Sequence, residues 1–210
     1  MQASTVYTKP VYIFLDFDGV LHANDPTVLA WPQTTKDRGQ YRYAFHQSDL
    51  LEFTLKRHAP NARIIVSSTW RTVFNTVEDL RYELLGSGCN VGLLNRMVGM
   101  TPVFKDDDEH VDPTVGTRLQ EILAYIKEHE LDDVPCLIVD DDCFGFTGKK
   151  GLFFPIVMPE AETGFSFKDA EETAGLITKF ADEIKPKKWF WRVKDKETPK
   201  DESETDPIAA

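Results

Sequence analysis

The chain has 210 residues, of which 41% are hydrophobic and 28% charged, which suits one well-buried globular domain and is short for two. The formal net charge of −11 disfavours generic binding to nucleic-acid phosphates, although a local basic patch could still serve that purpose. The chain contains no apolar run long enough to span a bilayer and no apolar signal core near its N-terminus. We therefore expect a cytoplasmic protein without membrane contacts.

Short apolar segments predict the strands of a parallel sheet. Residues 11–17, 62–67 and 136–140 are almost continuously apolar, which is typical of strands buried on both faces. Residues 97–100 and 152–158 show a weaker form of the same pattern. Helical patterns lie between these segments. The predicted fold class is therefore α/β, a three-layered sandwich with a central parallel sheet covered by helices on both faces.

Four helices are predicted from capping residues and apolar periodicity. The first is capped by Ser48, and the second spans residues 72–85. Thr117 and Gln120 resemble a capping box at the start of the third, and Ser166 caps a fourth that runs to about residue 184. The apolar face of the second helix contains Val73, Val77, Leu80 and Leu84.

The remaining segments define the predicted domain organisation. Residues 1–185 are expected to form a single domain with an irregular flap at about 22–47, where periodicity is lost. Residues 186–210 are expected to form a flexible tail, basic and aromatic at first and acidic afterwards. Its segment 187–192 could contact nucleic acid or a protein through charge and stacking, or it could dock on the domain itself.

Polar residues follow three of the predicted strands at the points where those strands end. In chain order they are Asp16 and Asp18, Ser67 and Ser68, and Asp140, Asp141 and Asp142. The carboxyl ends of parallel strands line one crevice, so these side chains are expected to meet. Several carboxylates in one crevice cannot all stay ionised unless a positive charge neutralises them. Oxygen ligands favour a hard cation such as Mg²⁺ in that position.

These residue types suit phosphoryl transfer. A carboxylate such as Asp16 can attack phosphorus and form an aspartyl-phosphate. A second carboxyl, Asp18, can protonate the leaving group and then activate the water that releases phosphate. The hydroxyls of Ser67 or Ser68 can bind the phosphoryl oxygens, and a cation such as Arg118 can hold the transferring group.

Together the motifs resemble those of the haloacid dehalogenase (HAD) superfamily of phosphatases. DFDGVL at residues 16–21 is similar to motif I, IIVSS at 64–68 to motif II, and LIVDDD at 137–142 to motif IV. The second aspartate of the first motif argues against the dehalogenase branch. The combination with SSTWR at 67–71 is most similar to HAD domains associated with nucleic-acid (RNA) repair systems.

The resemblance implies a catalytic and metal-binding role for each aspartate. Asp16 would be the nucleophile and a ligand of Mg²⁺. Asp18 would be the acid/base, with its backbone carbonyl also on the metal. Asp140 and Asp141 would complete the metal site, and Asp142 stays open as a substitute for one of them.

The phosphate-binding residues follow from the same resemblance. Ser67 would bind the phosphoryl group, and its neighbour Ser68 is close enough to take that role. Arg118 is the best candidate for motif III, in place of the lysine that is more usual in the family. Lys105 and Lys127 are the alternatives for this position.

The function implied is magnesium-dependent hydrolysis of a phosphate monoester through an aspartyl-phosphate. Specificity in this superfamily usually resides in cap insertions between motifs I and II or between motifs II and III. Neither interval has room for a large cap domain, so we expect an open site suited to nucleotides or nucleic-acid ends. A small-metabolite phosphatase is the alternative enzyme. A HAD-like module that binds a phosphorylated ligand without turnover is the non-enzymatic alternative.

Overall fold

A five-stranded parallel sheet forms the centre of the protein. The computed structural model describes residues 6–24, 45–105, 111–112, 115–142, 146 and 154–182. The strand order is β3-β2-β1-β4-β5, which places the first strand of the chain in the middle. The strands are β1 (Tyr12–Leu15), β2 (Arg63–Val66), β3 (Met97–Met100), β4 (Cys136–Val139) and β5 (Ile156–Val157).

The register of the central strand aligns the ends of its two neighbours. Leu15, the last residue of β1, lies opposite Val66 on β2 and Val139 on β4. The residues that follow these three strands therefore leave the sheet at the same edge. Helices cover both faces of the sheet at β1, so Ile13, Phe14 and Leu15 are fully buried, which explains the continuous apolar sequence of this strand.

All five predicted strands are present, and most are shorter than predicted. The segments predicted at 11–17, 62–67 and 136–140 extend past the paired residues at their carboxyl ends. The strand predicted at 97–100 has those bounds in the structure. The segment predicted at 152–158 contributes only the two residues of β5, and its first two residues lie outside the described part of the chain.

Helices cover both faces of the sheet. Alternate strand residues and helix side chains form two apolar cores, one on each face. Leu119, Ile122 and Ile126 pack on one face, and the remaining helices pack on the other. The predicted three-layered α/β sandwich is confirmed. The helices are α1 (Gln47–His58), α2 (Val77–Gly86), α3 (Val91–Arg96), α4 (Thr117–Glu128) and α5 (Phe167–Asp182).

None of the helices in the described ranges combines the length and the apolar character that are needed to cross a bilayer.

The helix predicted at 72–85 starts later than expected. A 3₁₀ turn spans Thr69–Thr72, and α2 begins only at Val77. Thr76 sets this start, because its Oγ1 accepts a hydrogen bond from Asp79 N at 3.1 Å and donates one to Asp79 Oδ2 at 2.7 Å. Val73, predicted on the apolar face, is 68% exposed.

Two of the predicted caps are wrong. Gly116 precedes α4, and the side chain of Gln120 instead binds the backbone of Asp112 and Val115, so it secures the preceding loop. Helix α1 begins at Gln47, one residue before its predicted cap, and Ser48 Oγ donates to the backbone oxygen of Phe45. At the starts of both α1 and α4, hydrogen bonds between a helix side chain and the preceding loop thus replace the predicted side-chain cap.

The predicted cap at Ser166 has the expected position. Asp169, in the first turn of α5, accepts hydrogen bonds from Ser166 N at 2.7 Å and Ser166 Oγ at 2.6 Å. This is the return half of a capping arrangement, in which the third helical residue satisfies the backbone donor of the cap. The predicted end at about 184 lies beyond Asp182, the last described residue of the helix.

Much of the predicted flap and all of the predicted tail fall outside the described residues. Residues 25–44 of the flap and 183–210 of the C-terminus belong to this part of the chain. At the two described ends of the flap, His22 and Phe45 are buried. The division into one domain and a tail, including a contact through 187–192, therefore stays a prediction.

Two leucines of α2 provide a test of this fold. Leu80 is fully buried in the core, whereas Leu85 on the same helix is 51% exposed. Leu80→Ala should lower the free energy of unfolding by about 2–5 kcal/mol, because it removes apolar contacts and leaves a cavity. Leu85→Ala should change it by less than about 0.5 kcal/mol. Urea denaturation of both variants measures the difference, and equal losses would contradict the assigned orientation of α2.

Candidate active site

The site lies where the chain changes direction across the sheet. From β1 the strands proceed to β2 and β3 on one side, and the chain then returns to β4 on the other. Such a reversal opens a crevice at the carboxyl ends of the two strands beside it, here β1 and β4. Asp16 and Asp140 are the first residues after these strands. Asp16 N donates to Val139 O at 3.0 Å, so the backbone holds the two aspartates beside each other.

Three carboxylates converge in this crevice. Asp16, Asp140 and Asp141 each offer an oxygen, and these oxygens all lie within 4.8 Å of one another. Asp16 is 5% exposed, Asp140 is fully buried and Asp141 is half-buried. Asp142 is exposed, and its backbone N–H donates to Asp140 Oδ1 at 2.9 Å. The structure thus groups the first two aspartates of the DDD motif with Asp16 and leaves the third outside the group.

Gly19 allows Asp141 to lie close to the turn after β1. Gly19 has a φ of +68°, and a Cβ at its position would lie 2.2 Å from Asp141 Oδ2. Any side chain here would therefore displace Asp141 or the turn. The glycine of the DFDGVL motif serves both the turn conformation and the close packing of the two loops.

Arg118 projects into the carboxylate group from the first turn of α4. Its Nη1 forms ion pairs with Asp16 Oδ2 and with Asp140 Oδ2, the latter at 2.7 Å. Lys127 is exposed at the opposite end of the same helix, and Lys105 is exposed beyond β3. Arg118 is therefore the basic residue that pairs with these carboxylates.

The electrostatics of the group favour a divalent cation. Burial and then the charge of Asp16 raise the pKa of Asp141 to about 6, and the same two causes raise the pKa of Asp140. Burial lowers the pKa of Arg118, but the charges of Asp16 and Asp140 outweigh it and raise that pKa overall. Three carboxylates and one guanidinium carry a net charge of −2 when all are ionised. A hard cation with oxygen ligands, such as Mg²⁺, fits both this charge and these donors.

The two serines after β2 differ in their hydrogen bonds. Both are fully buried, and Ser67 N donates to Leu15 O at 2.9 Å, which places Ser67 beside the end of β1. Among the described residues, no partner is found for the hydroxyl of Ser67. The hydroxyl of Ser68 instead accepts from Trp70 N at 3.4 Å and caps the 3₁₀ turn. Ser67 therefore has a buried hydroxyl for which the described residues offer no partner.

Asp18 has partners other than the carboxylate group. Trp70 Nε1 donates to Asp18 Oδ1 at 3.0 Å and Oδ2 at 3.1 Å, and His22 Nε2 lies 3.1 Å from Asp18 Oδ1. The sequence analysis used Trp70 only as part of the SSTWR motif and placed residue 22 at the start of the predicted flap. The Trp70 contact could not be read from the spacing, because residues 52 positions apart meet only through the pairing of β1 with β2.

The sequence analysis missed a buried ion pair next to the site, between Arg71 and Glu121. Arg71 Nη1 donates to the backbone oxygens of Ser67 and Ser68, and Nη2 pairs with Glu121 Oε2. Glu121 Oε1 also accepts from Phe104 N at 2.9 Å. The network joins the loop after β2 to α4, which bears Arg118. A charged residue within the apolar face of α4, three positions after Arg118, was the available signal.

The fold and this acidic crevice define a Rossmann-like HAD domain, and a comparison with known families agrees. The family model described as "HAD domain in Swiss Army Knife RNA repair proteins" matches residues 12–170, a span that contains all five strands and the grouped aspartates. The chain belongs to this family. No curated protein and no solved structure matches the chain significantly. Membership confirms the resemblance seen in the motifs and supports a HAD-type phosphatase in general.

The buried ion pair generates a stability prediction. Glu121→Gln leaves the Arg71 guanidinium buried without its opposing charge, and burial already lowers the pKa of Arg71. Removing one partner of a buried pair typically costs about 3–5 kcal/mol, so we expect a loss of this order in the free energy of unfolding. Glu128→Gln, on an exposed turn of the same helix, is the matched control and should change little. Urea denaturation checks both, and equal stability of the two variants would contradict the role of the pair.

Proposed function

We propose that the protein is a magnesium-dependent phosphatase that hydrolyses phosphate monoesters through an aspartyl-phosphate on Asp16. The grouping of Asp16, Asp140 and Asp141 around Arg118 is the observation that carries this proposal. A nucleophilic carboxylate, a cation site and a guanidinium are the elements that attack and stabilise a phosphoryl group. Family membership supports the same class of reaction.

In the proposed site, the carboxylates of Asp16, Asp140 and Asp141 hold the metal, and the backbone carbonyl of Asp18 adds a fourth ligand. When bound, Mg²⁺ supplies positive charge that offsets the charge of the phosphoryl oxygens. Arg118 and the hydroxyl of Ser67 hydrogen-bond other phosphoryl oxygens. The hydroxyl of Ser68 accepts a hydrogen bond from Trp70 N and keeps its own O–H to donate, so Ser68 stays the alternative.

The reaction has two steps. First, a carboxylate oxygen of Asp16 forms a bond to phosphorus while the bond from phosphorus to the leaving oxygen breaks, and Asp18 donates its proton to that oxygen. Second, Asp18 accepts a proton from water as the water oxygen bonds to phosphorus. The bond from Asp16 to phosphorus then breaks, which releases phosphate and restores both carboxyl groups.

The proposed substrate is a nucleotide or a phosphorylated nucleic-acid end. The description of the matching family, which names RNA repair proteins, supports this choice. A net charge of −11 means that a nucleic acid would need a local basic contact, and the segment 187–192 remains the predicted one. A small-metabolite phosphatase and a phospho-ligand binding module are the competing outcomes of the experiments below.

Replacing the nucleophile tests the reaction class. Wild type should hydrolyse an aryl phosphate in the presence of Mg²⁺ and lose this activity with a chelator. Asp16→Asn should lower kcat/KM by about three orders of magnitude or more, because an amide cannot form the acyl phosphate. Thermal unfolding of the variant shows whether it still folds. Activity that survives in Asp16→Asn, or in excess chelator, would contradict the proposal.

A substrate panel in the same assay separates the three readings. Oligoribonucleotides with a 3′- or 5′-phosphate, nucleoside monophosphates and small sugar phosphates are compared by kcat/KM. Preference for the first two classes supports the proposed substrate, and preference for sugar phosphates supports the metabolite phosphatase. Binding of these ligands without phosphate release would favour the binding module.

Thermal unfolding tests the metal site through Asp141→Asn. The folded-state pKa of Asp141 is raised to about 6, against about 3.9 unfolded, so its ionised form costs stability at about pH 7.5 and not at about pH 4. Without metal, Asp141→Asn should therefore raise the melting temperature at the higher pH, and the gain should vanish at the lower one. With Mg²⁺, wild type should gain about 2.7 kcal/mol at a hundred times Kd, and the variant much less.

Asp142→Asn is the matched control for this experiment. Asp142 is the exposed neighbour that lies outside the carboxylate group, so its variant should keep the full stabilisation by Mg²⁺. Loss of the Mg²⁺ effect in Asp142→Asn but not in Asp141→Asn would reverse the assignment of the two residues. Equal Mg²⁺ stabilisation of all three proteins would exclude this group as the metal site.

A further inference from the structure

Two aromatic residues from different segments hold the side chain of Asp18. Trp70, in the turn after β2, donates one indole N–H to both carboxylate oxygens, at 3.0 and 3.1 Å. His22, four residues after Asp18, places Nε2 3.1 Å from Oδ1. The Asp18 side chain is 27% exposed, so these contacts leave part of it open to solvent.

The two holders are themselves fixed by packing. The rings of Phe17 and Phe45 meet the Trp70 ring edge to face, with centroids 6.0 and 5.3 Å away. The His22 side chain is 3% exposed, its ring packs against Phe45 at 5.2 Å, and its Nδ1 lies 2.9 Å from Ala23 O. An aromatic side chain has only two χ angles, so fixing it against a polar partner costs little conformational entropy. The Asp18 carboxyl is thus held by groups with few alternative positions.

The turn that carries Trp70 links Asp18 to the two serines after β2. Trp70 follows Ser67 by three residues, and its backbone N–H binds the hydroxyl of Ser68. The turn that presents the candidate phosphate-binding serine therefore also presents the donor that orients Asp18. A proton donor must lie within hydrogen-bond reach of the leaving oxygen, so its orientation relative to the phosphoryl site decides its efficiency.

We propose that Trp70 and His22 are positioning residues that hold the Asp18 carboxyl for proton transfer to the leaving group. This inference rests on the phosphatase reaction proposed above. It assigns a role to the tryptophan of the SSTWR motif and to a buried histidine beside the predicted flap. Neither residue contacts the phosphoryl group in this proposal, because both act through Asp18.

The consequence is a dependence on the leaving group. Protonation contributes most when the leaving oxygen is a strongly basic alkoxide, as in a nucleoside monophosphate, and least when it is a weakly basic phenoxide, as in 4-nitrophenyl phosphate. Misplacing Asp18 should therefore reduce kcat/KM on the nucleotide much more than on the aryl ester. A general loss of folding or of metal would reduce both alike.

Trp70→Phe is the decisive variant, since it keeps an aromatic ring in the packing and removes the N–H donor. We expect kcat/KM to fall by about 10- to 100-fold on a nucleoside monophosphate and by less than about 3-fold on 4-nitrophenyl phosphate. His22→Leu should show the same selectivity. His22→Gln, whose amide can offer either a donor or an acceptor near the position of Nε2, should recover most of the loss. Asp18→Asn provides the upper limit of the effect.

Thr72→Val is the matched control. It removes one hydrogen bond, from Thr72 Oγ1 to Thr69 O at 2.8 Å, within the same 3₁₀ turn. It should leave both kcat/KM values unchanged. Equal losses on the two substrates in Trp70→Phe, or no loss on either, would overturn the positioning role while leaving the phosphatase proposal intact.

A measurement without turnover keeps the two proposals separate. The indole ¹H–¹⁵N NMR resonance of Trp70 is identified by its disappearance in Trp70→Phe. Asp18→Asn should shift this resonance and speed its exchange with solvent, because the charged acceptor is lost. An unchanged resonance would refute the hold on Asp18 even if the enzyme is active. A shifted resonance in a protein without activity would retain the contact, but it would refute its role in catalysis along with the phosphatase proposal.

Discussion

Repulsion among Asp16, Asp140 and Asp141 is the constraint on which the site depends. The sheet imposes it, because Asp16 N donates to Val139 O, next to Asp140, and the two aspartates cannot move apart without breaking this backbone hydrogen bond. Because Asp16 and Asp140 are buried, water cannot fully solvate their charges. The repulsion is relieved by a bound proton, as the raised pKa values of Asp140 and Asp141 indicate, or by positive charge. Arg118 provides part of it, and the remaining charge of −2 is what a divalent cation would neutralise.

Arg118 can offset the charge of the carboxylates only if α4 is held firmly against the sheet. Arg118 belongs to α4, whereas the carboxylates belong to the sheet, so the helix must keep its position for the ion pairs to persist. The apolar face of α4 packs against the sheet, and the Arg71–Glu121 pair ties the same helix to the loop after β2. Each of these buried charges has its partner, which is the condition under which charge is tolerated in a protein core.

Asp16 and Asp18 lie on one short turn, yet their surroundings differ. Asp16 is buried beside two further carboxylates and Arg118, whereas Asp18 is partly exposed and contacts Trp70 and His22. Two carboxyl groups of the same type acquire different roles when their environments differ in this way. The proposed division of labour, with Asp16 as nucleophile and Asp18 as acid/base, is consistent with this contrast.

The sequence by itself determined the strand pattern, the fold class and the acidic strand ends, because continuous apolar segments and short motifs are local properties of the chain. It also placed Arg118 among three candidates. The start of α2 and the true roles of Gln120 and Ser48 depended on which loop packs behind each helix, and the pattern of a single segment does not contain that information.

Only the tertiary structure decided which members of each set meet. It separated Asp141 from Asp142 and Ser67 from Ser68, although these neighbours are chemically identical. It also joined Trp70 to Asp18 and Arg71 to Glu121, pairs that are 52 and 50 residues apart in the chain. Direction and proximity of side chains are fixed by strand register and helix packing, which bring together residues that no local pattern relates.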